Sequence, residues 1–283
     1  MRPIFMKINF CRLVITLMVA MPCILKAQSQ KPYTLFNPVP RQQLRDMETD
    51  RPDMTESPYT VDAGHIQYET DLYRLEKEKG ETSDQHTHLF NQGNLKIGLL
   101  HSTSIQFGFQ SFVIEKEKEL QTGETRTGRG IGDINIRIKQ NILGNDGGNF
   151  SLAILPYIKF PTARYTDDSK YEGGVIVPML IRLPGEWNLG TQVEADRLKD
   201  SEEKAMHTEL MQSLSISHDI IKHLEGIGET YYRYDFKKHH WSNFLNASAQ
   251  VDVSKNLKLD AGLNYGLQTD AEKNYFIGTS FRF

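Results

Sequence analysis

The sequence predicts an all-β protein, an antiparallel transmembrane β-barrel of about twelve strands, on three observations. Apolar and polar residues alternate with a period of two from about residue 64 to residue 283. The connections between these runs are short and long by turns. The N-terminus is basic, then apolar, then polar, the pattern of an export leader. Bulk composition alone, 39% hydrophobic with mean hydropathy −0.49 and net charge −3, resembles that of a soluble domain. It excludes a helical membrane protein, which needs runs of about 20 apolar residues. It also excludes a disordered chain, because 10% aromatic residues can bury a large core. A near-neutral balance offers no footprint for nucleic acid. A barrel stays open, because its lipid-facing residues are diluted by polar ones facing the lumen.

Residues 1–27 read as a signal peptide. Arg2, Lys7 and Arg12 precede or interrupt the apolar stretch from Leu13 to Leu25, and Lys26 and Ala27 lead into a polar run. About 13 apolar residues are too few to span a bilayer. Removing this leader leaves 29 basic against 36 acidic residues, a net charge of −7, and takes away both Cys11 and Cys23. The exported chain would then be cysteine-free, with no disulfide or thiolate site.

Residues 64–283 read as the barrel. In residues 257–267 the odd positions Leu257, Leu259, Ala261, Leu263, Tyr265 and Leu267 are apolar or aromatic, while the even positions are polar or glycine. The same split separates Ile134, Ile136 and Ile138 from Asn135, Arg137 and Lys139. One oily and one wet face is what a strand between lipid and lumen requires. The strands fall near 64–75, 86–99, 103–115, 130–142, 149–161, 173–184, 187–197, 207–218, 222–235, 242–253, 256–268 and 274–283. Tight turns follow the even-numbered runs. Longer charged stretches, such as 76–85, 116–129, 162–172 and 198–206, follow most odd-numbered ones. Outer-membrane barrels have this rhythm, with short turns on the periplasmic side. Tyr68, Trp187, Tyr232, Tyr234 and Tyr265 suit interfacial girdles, so outer-membrane lipid is the first expected partner. The last strand alternates Tyr275, Ile277, Thr279, Phe281 and Phe283, which resembles the C-terminal strand signal read by the barrel assembly machinery.

If the apolar parity meets lipid, the pore-lining candidates are Glu69, Asp71, Lys96, Arg137, Lys139, Glu194, Asp196, Glu229, Arg233, Asp260 and Arg282. Both signs are mixed, so strong ion selectivity is not indicated. Residues 28–63 lack alternation and are rich in proline and charge. Their motif holds Arg51 between Asp50 and Asp53, with Pro52, Glu56, Ser57 and Pro58 beside it. Such a piece folds through local Asx and Ser/Thr turns. It is expected to be a periplasmic lead-in or a small plug in the lumen.

Thr49-Asp-Arg-Pro-Asp-Met-Thr-Glu-Ser-Pro58, Gly130-Ile-Gly-Asp-Ile-Asn-Ile-Arg-Ile-Lys139, Leu155-Pro-Tyr-Ile-Lys-Phe-Pro-Thr162, Gly173-Gly-Val-Ile-Val-Pro178 and Leu259-Asp-Ala-Gly-Leu-Asn-Tyr-Gly266 occur in that order. Together they resemble the outer-membrane transporter family named for a MetA pathway of phenol degradation, over roughly 48–283. The resemblance implies a barrel that passes small molecules, hydrophobic or aromatic ones among them. It brings no catalytic residues.

No cofactor motif, metal signature or nucleophile elbow is present. His86 with His88, and His239 with His240, lack a nameable third ligand and read as solvated. A lipid hydrolase would need a Ser and a His together, but Ser217 and His218 are adjacent on a strand and face opposite sides. The expected function is therefore passive passage of small molecules, not catalysis. A structural or adhesive barrel acting through its outer loops is the second reading, and an outer-membrane lipid hydrolase the third.

Overall fold

A computed structural model describes residues 33–165, 170–200, 205–269 and 271–283. The expected leader, residues 1–27, lies outside the described residues. The strands are β1 (Ile66–Lys79), β2 (Ser83–Leu100), β3 (Thr103–Glu119), β4 (Thr125–Gly130), β5 (Ile134–Leu143), β6 (Phe150–Phe160) and β7 (Glu172–Arg182). They continue as β8 (Asn188–Lys199), β9 (Met206–Ile221), β10 (Leu224–Asp235), β11 (His240–Ser254), β12 (Leu257–Gly266) and β13 (Lys273–Arg282). Every pairing is antiparallel, most are between neighbours in sequence, and β1 also pairs with β13, which closes the ring. β3 pairs with β5 through Thr103 to Phe109 and with β4 through Val113 to Lys118. β4 and β5 are thus one crossing broken at 131–133, and the wall is a closed barrel of 12 strands. At the break, Asp133 Oδ1 accepts the backbone N–H groups of Thr162 and Ala163, each at 2.9 Å, so a piece of the β6–β7 loop takes the missing ladder's place.

The burial pattern is that of a soluble protein turned inside out. Leu214, Ile216, Leu245, Leu259, Leu263 and Ile277 stand exposed on the outer face, while Gln106, Lys139, Gln192 and Glu69 are buried inside. Period two forces this, because a one-residue slip would carry every charge to the lipid face. No helix among the described residues is long and apolar enough to cross a membrane. Aromatic side chains cluster at one end of the outer surface, where Trp241 packs against Tyr232 and Tyr234.

The structure departs from the expected loops at 76–85 and 116–129. Glu76 pairs with Thr87 and Lys77 with His86, and Glu117 pairs with Arg126, so most of these charged stretches are strand. Beyond the bilayer both faces meet water, so alternation disappears while the hydrogen-bonded ladder continues.

Candidate functional site: the lumen and the segment inside it

Residues 33–65 enter at the short-turn end. His65 Nε2 meets the Val39 carbonyl at 2.7 Å, and Arg45 bonds Asp62 at 2.7 Å and the carbonyls of Thr60 and Asn145. Arg282, on β13, donates to the Arg45 carbonyl at 2.8 Å and pins this part of the segment to the wall. A methyl group at Gly98 would collide with the Asp62 carbonyl, so the close approach of segment to β2 requires glycine there.

Residues 48–58 lie in the middle of the lumen, and the wall meets them from all round. Asp50 is ion-paired with both Lys96 of β2 and Lys139 of β5, and its Oδ1 also accepts the Ser57 N–H at 3.1 Å. Lys139 is only 1% exposed, and it also donates to the Ser57 carbonyl at 2.6 Å. Arg51 bridges two carboxylates of the wall: Nη1 donates to Asp71 at 2.6 Å, while Nη2 and Nε grip Asp260 at 2.5 and 3.1 Å. Gly278 leaves room for that guanidinium on β13. Glu229 of β10 accepts the N–H groups of Met54 and Thr55 and the Thr55 hydroxyl, at 2.6–2.8 Å. Glu56 pairs with Arg137, and its N–H donates to Gln192 at 2.7 Å. The Pro58 carbonyl accepts from Asn141 at 2.9 Å.

Electrostatics follows from this geometry. Burial raises the Asp50 carboxyl, but the charges of Lys139 and Lys96 overcome it and hold the group well below the usual carboxylate range. Burial and then the charge of Glu229 push Asp53 well above that range. Charges held in water-poor surroundings persist only with partners. Asp50 and Arg51 each have two.

The predicted lumen residues thus fall into groups. Lys96, Arg137, Lys139, Asp71, Glu229 and Asp260 touch the segment directly, as does Glu69, which accepts the Asp50 N–H at 3.1 Å and pairs with Lys96. Arg282 sits at the short-turn mouth. Glu194, Asp196 and Arg233 lie beyond the segment toward the long-loop end. Glu194 accepts from Gln192, and Asp196 accepts the Tyr157 hydroxyl at 2.7 Å. Pro52 and Asp53 line a cavity of about 350 Å³ on that side, with Met54, Arg74, Arg137 and Lys159.

Sequence reading missed an apolar patch on the lumen face. Tyr231 and Phe244 stack at 4.5 Å with 9° between their planes, and Met211, Ala271 and Met54 pack with them. The Arg233 guanidinium lies 5.7 and 5.5 Å from the two ring centroids. Phe276 faces Arg74 at 5.0 Å and Arg51 at 5.7 Å. The signal was strand phase: Tyr231 shares parity with Glu229, Met211 with Ser213, and Phe276 with Gly278. Ser217 lines an interior pocket, while His218 packs on Trp187 at 4.3 Å, so the wall separates that pair.

Residues 49–283 match the family described as "Putative MetA-pathway of phenol degradation". Comparison with curated proteins yields no match. Among solved structures, the chain is similar to the COG4313 outer membrane channel from Pseudomonas putida F1, with TM-score 0.58 and 12% identity over 83% of this chain and 100% of that one. Weaker likenesses include the NanC porin (TM-score 0.49, 11% identity, 76% of this chain and 98% of that one) and the KdgM porin in complex with disordered oligogalacturonate (0.47, 11%, 77% and 99%).

Proposed function

The chain belongs to this family, and from that premise we propose that this outer-membrane barrel is a passive channel for small molecules, with residues 28–63 as a plug that narrows its lumen. The observation that carries the reading is the occupied lumen: a closed wall in which Lys96 and Lys139 are paired with Asp50, and Asp71 and Asp260 with Arg51, of the segment inside it. Against the plug, Tyr231, Phe244, Phe276 and Met211 form a buried apolar patch on an otherwise polar lumen face, and its uncovering when the plug shifts supports passage of hydrophobic or aromatic solutes. Transport is diffusion with weak recognition, without energy coupling. Outer-membrane lipid covers the outer face, and β13 is the strand offered to the assembly machinery.

Purified protein in a planar bilayer should show discrete conductance steps, and liposomes carrying it should admit aromatic solutes faster than sugars of similar size. A silent barrel that also excludes the solute panel would overturn the reading in favour of a structural or adhesive role.

A further inference from the structure

The long-loop end of β9 and β10 carries a second cluster, separate from the plug. His207 and Glu209 are two residues apart on β9 and therefore share the inward face. Asp235 on β10 is the cross-strand partner of Glu209. His207 Nε2 lies 2.8 Å from Glu209 Oε1 and 3.8 Å from Asp235 Oδ2, and one donor atom from each of the three falls within 4.8 Å of the others. These separations bracket the spacing of donors around one ion at bond lengths of about 2.0–2.2 Å.

Two further observations bear on a ligand. The His207 ring is only 8% exposed, and the nitrogen it turns to both carboxylates is Nε2, which leaves Nδ1, on the far side of the ring, to carry the proton when Nε2 ligates an ion. Asp235 is already oriented: its Oδ1 accepts the N–H groups of Lys237 and Lys238 at 2.7 and 3.1 Å, which leaves Oδ2 turned to the imidazole. Outer-shell bonds of this kind fix a ligating carboxylate. The field also favours a cation, because Asp196 stands across from Glu209 and Glu194 lies two residues further along β8. Arg233 is the nearby opposing charge, and it lies against Tyr231 and Phe244.

We propose that His207, Glu209 and Asp235 bind one divalent transition-metal ion of the zinc class at the outer rim of the lumen. One imidazole nitrogen with two carboxylate oxygens suits zinc or its first-row neighbours better than calcium or magnesium, which prefer all-oxygen sites. Three protein ligands leave a position for water, and the ion would tie β9 to β10 where the wall leaves the bilayer.

The test is equilibrium dialysis of the full-length, untagged protein in detergent against Zn²⁺ after chelator treatment. One equivalent should be retained, with affinity at least about tenfold weaker in H207A and E209Q, in line with the loss of a first ligand. The double variant H239A/H240A should bind as the parent does. Folding of each variant is checked by its heat-modifiable migration, and E209Q, which keeps the side-chain volume, carries the test if H207A does not assemble. Absence of a retained equivalent, or retention unchanged in E209Q and, where it folds, in H207A, overturns the proposal.

Discussion

At the scale of single residues, Arg51 is the decisive side chain of the lumen. It satisfies two wall carboxylates from opposite ends of the barrel sequence, Asp71 and Asp260, and does so with a planar fork that lysine cannot reproduce. Removing one partner of a buried pair costs about 3–5 kcal/mol, because the other charge is left unmatched. Arg51→Gln should therefore unseat the plug in part. Its single-channel conductance is expected to exceed the parent's severalfold, with Arg51→Lys between the two, and equal conductance in all three proteins would sink the idea. Arg51 was legible in the sequence because it sits between two acids and beside prolines, an arrangement a lipid-facing strand cannot hold. Tyr231, Phe244 and Phe276 were not, because an aromatic residue at a lumen position resembles one at a girdle until the phase of its strand is followed through.

At the scale of elements, the strand is a device for partitioning solvents, and its alternation reports only the part within the bilayer. β12 illustrates the readable case: Leu259, Leu263 and Tyr265 are exposed outward, while Asp260 and Asn264 are buried inward. β2 and β3 illustrate the unreadable one. Their outer ends pair Gln85 with Glu117 and Asp84 with Lys118, where both faces are wet and no hydrophobic rhythm survives. The break between β4 and β5 was equally hidden, since the compensating bonds to Asp133 come from a distant loop. Parity makes a direct prediction. Leu263→Arg places a cation on the lipid face, at a cost of about 2–4 kcal/mol near the midplane, whereas Glu225→Arg, on the lumen face of β10, spares that cost. Urea unfolding in vesicles should show a lower midpoint for the first and a near-parental one for the second. Equal midpoints would mean that β12 does not meet lipid in this register.

At the scale of the whole molecule, the wall and the segment inside it are held by different forces, and this permits their separation. The wall is a closed ladder of backbone hydrogen bonds with an apolar exterior, and no edge strand is left open by removing anything inside it. Residues 48–58 are held almost wholly by side chains: ion pairs at Asp50, Arg51 and Glu56, and hydrogen bonds to Glu229, Gln192 and Asn141. Deleting residues 28–62 should leave a folded barrel whose inward charges recover water in place of their partners. Of the wall residues involved, Glu69, Asp71, Glu194, Asp196, Glu229 and Asp260 are acidic, and Lys96, Arg137, Lys139, Arg233 and Arg282 are basic. Six against five is close to balance, and mixed rings of charge do not select strongly between ions. The deletion variant is therefore expected to conduct more than the parent while its reversal potential in a potassium chloride gradient stays near zero, displaced slightly toward cation preference. Unchanged conductance would make the segment a tether, and a strong anion preference would mean that Arg137, Lys139 and Lys96 dominate the constriction once Asp50 is gone.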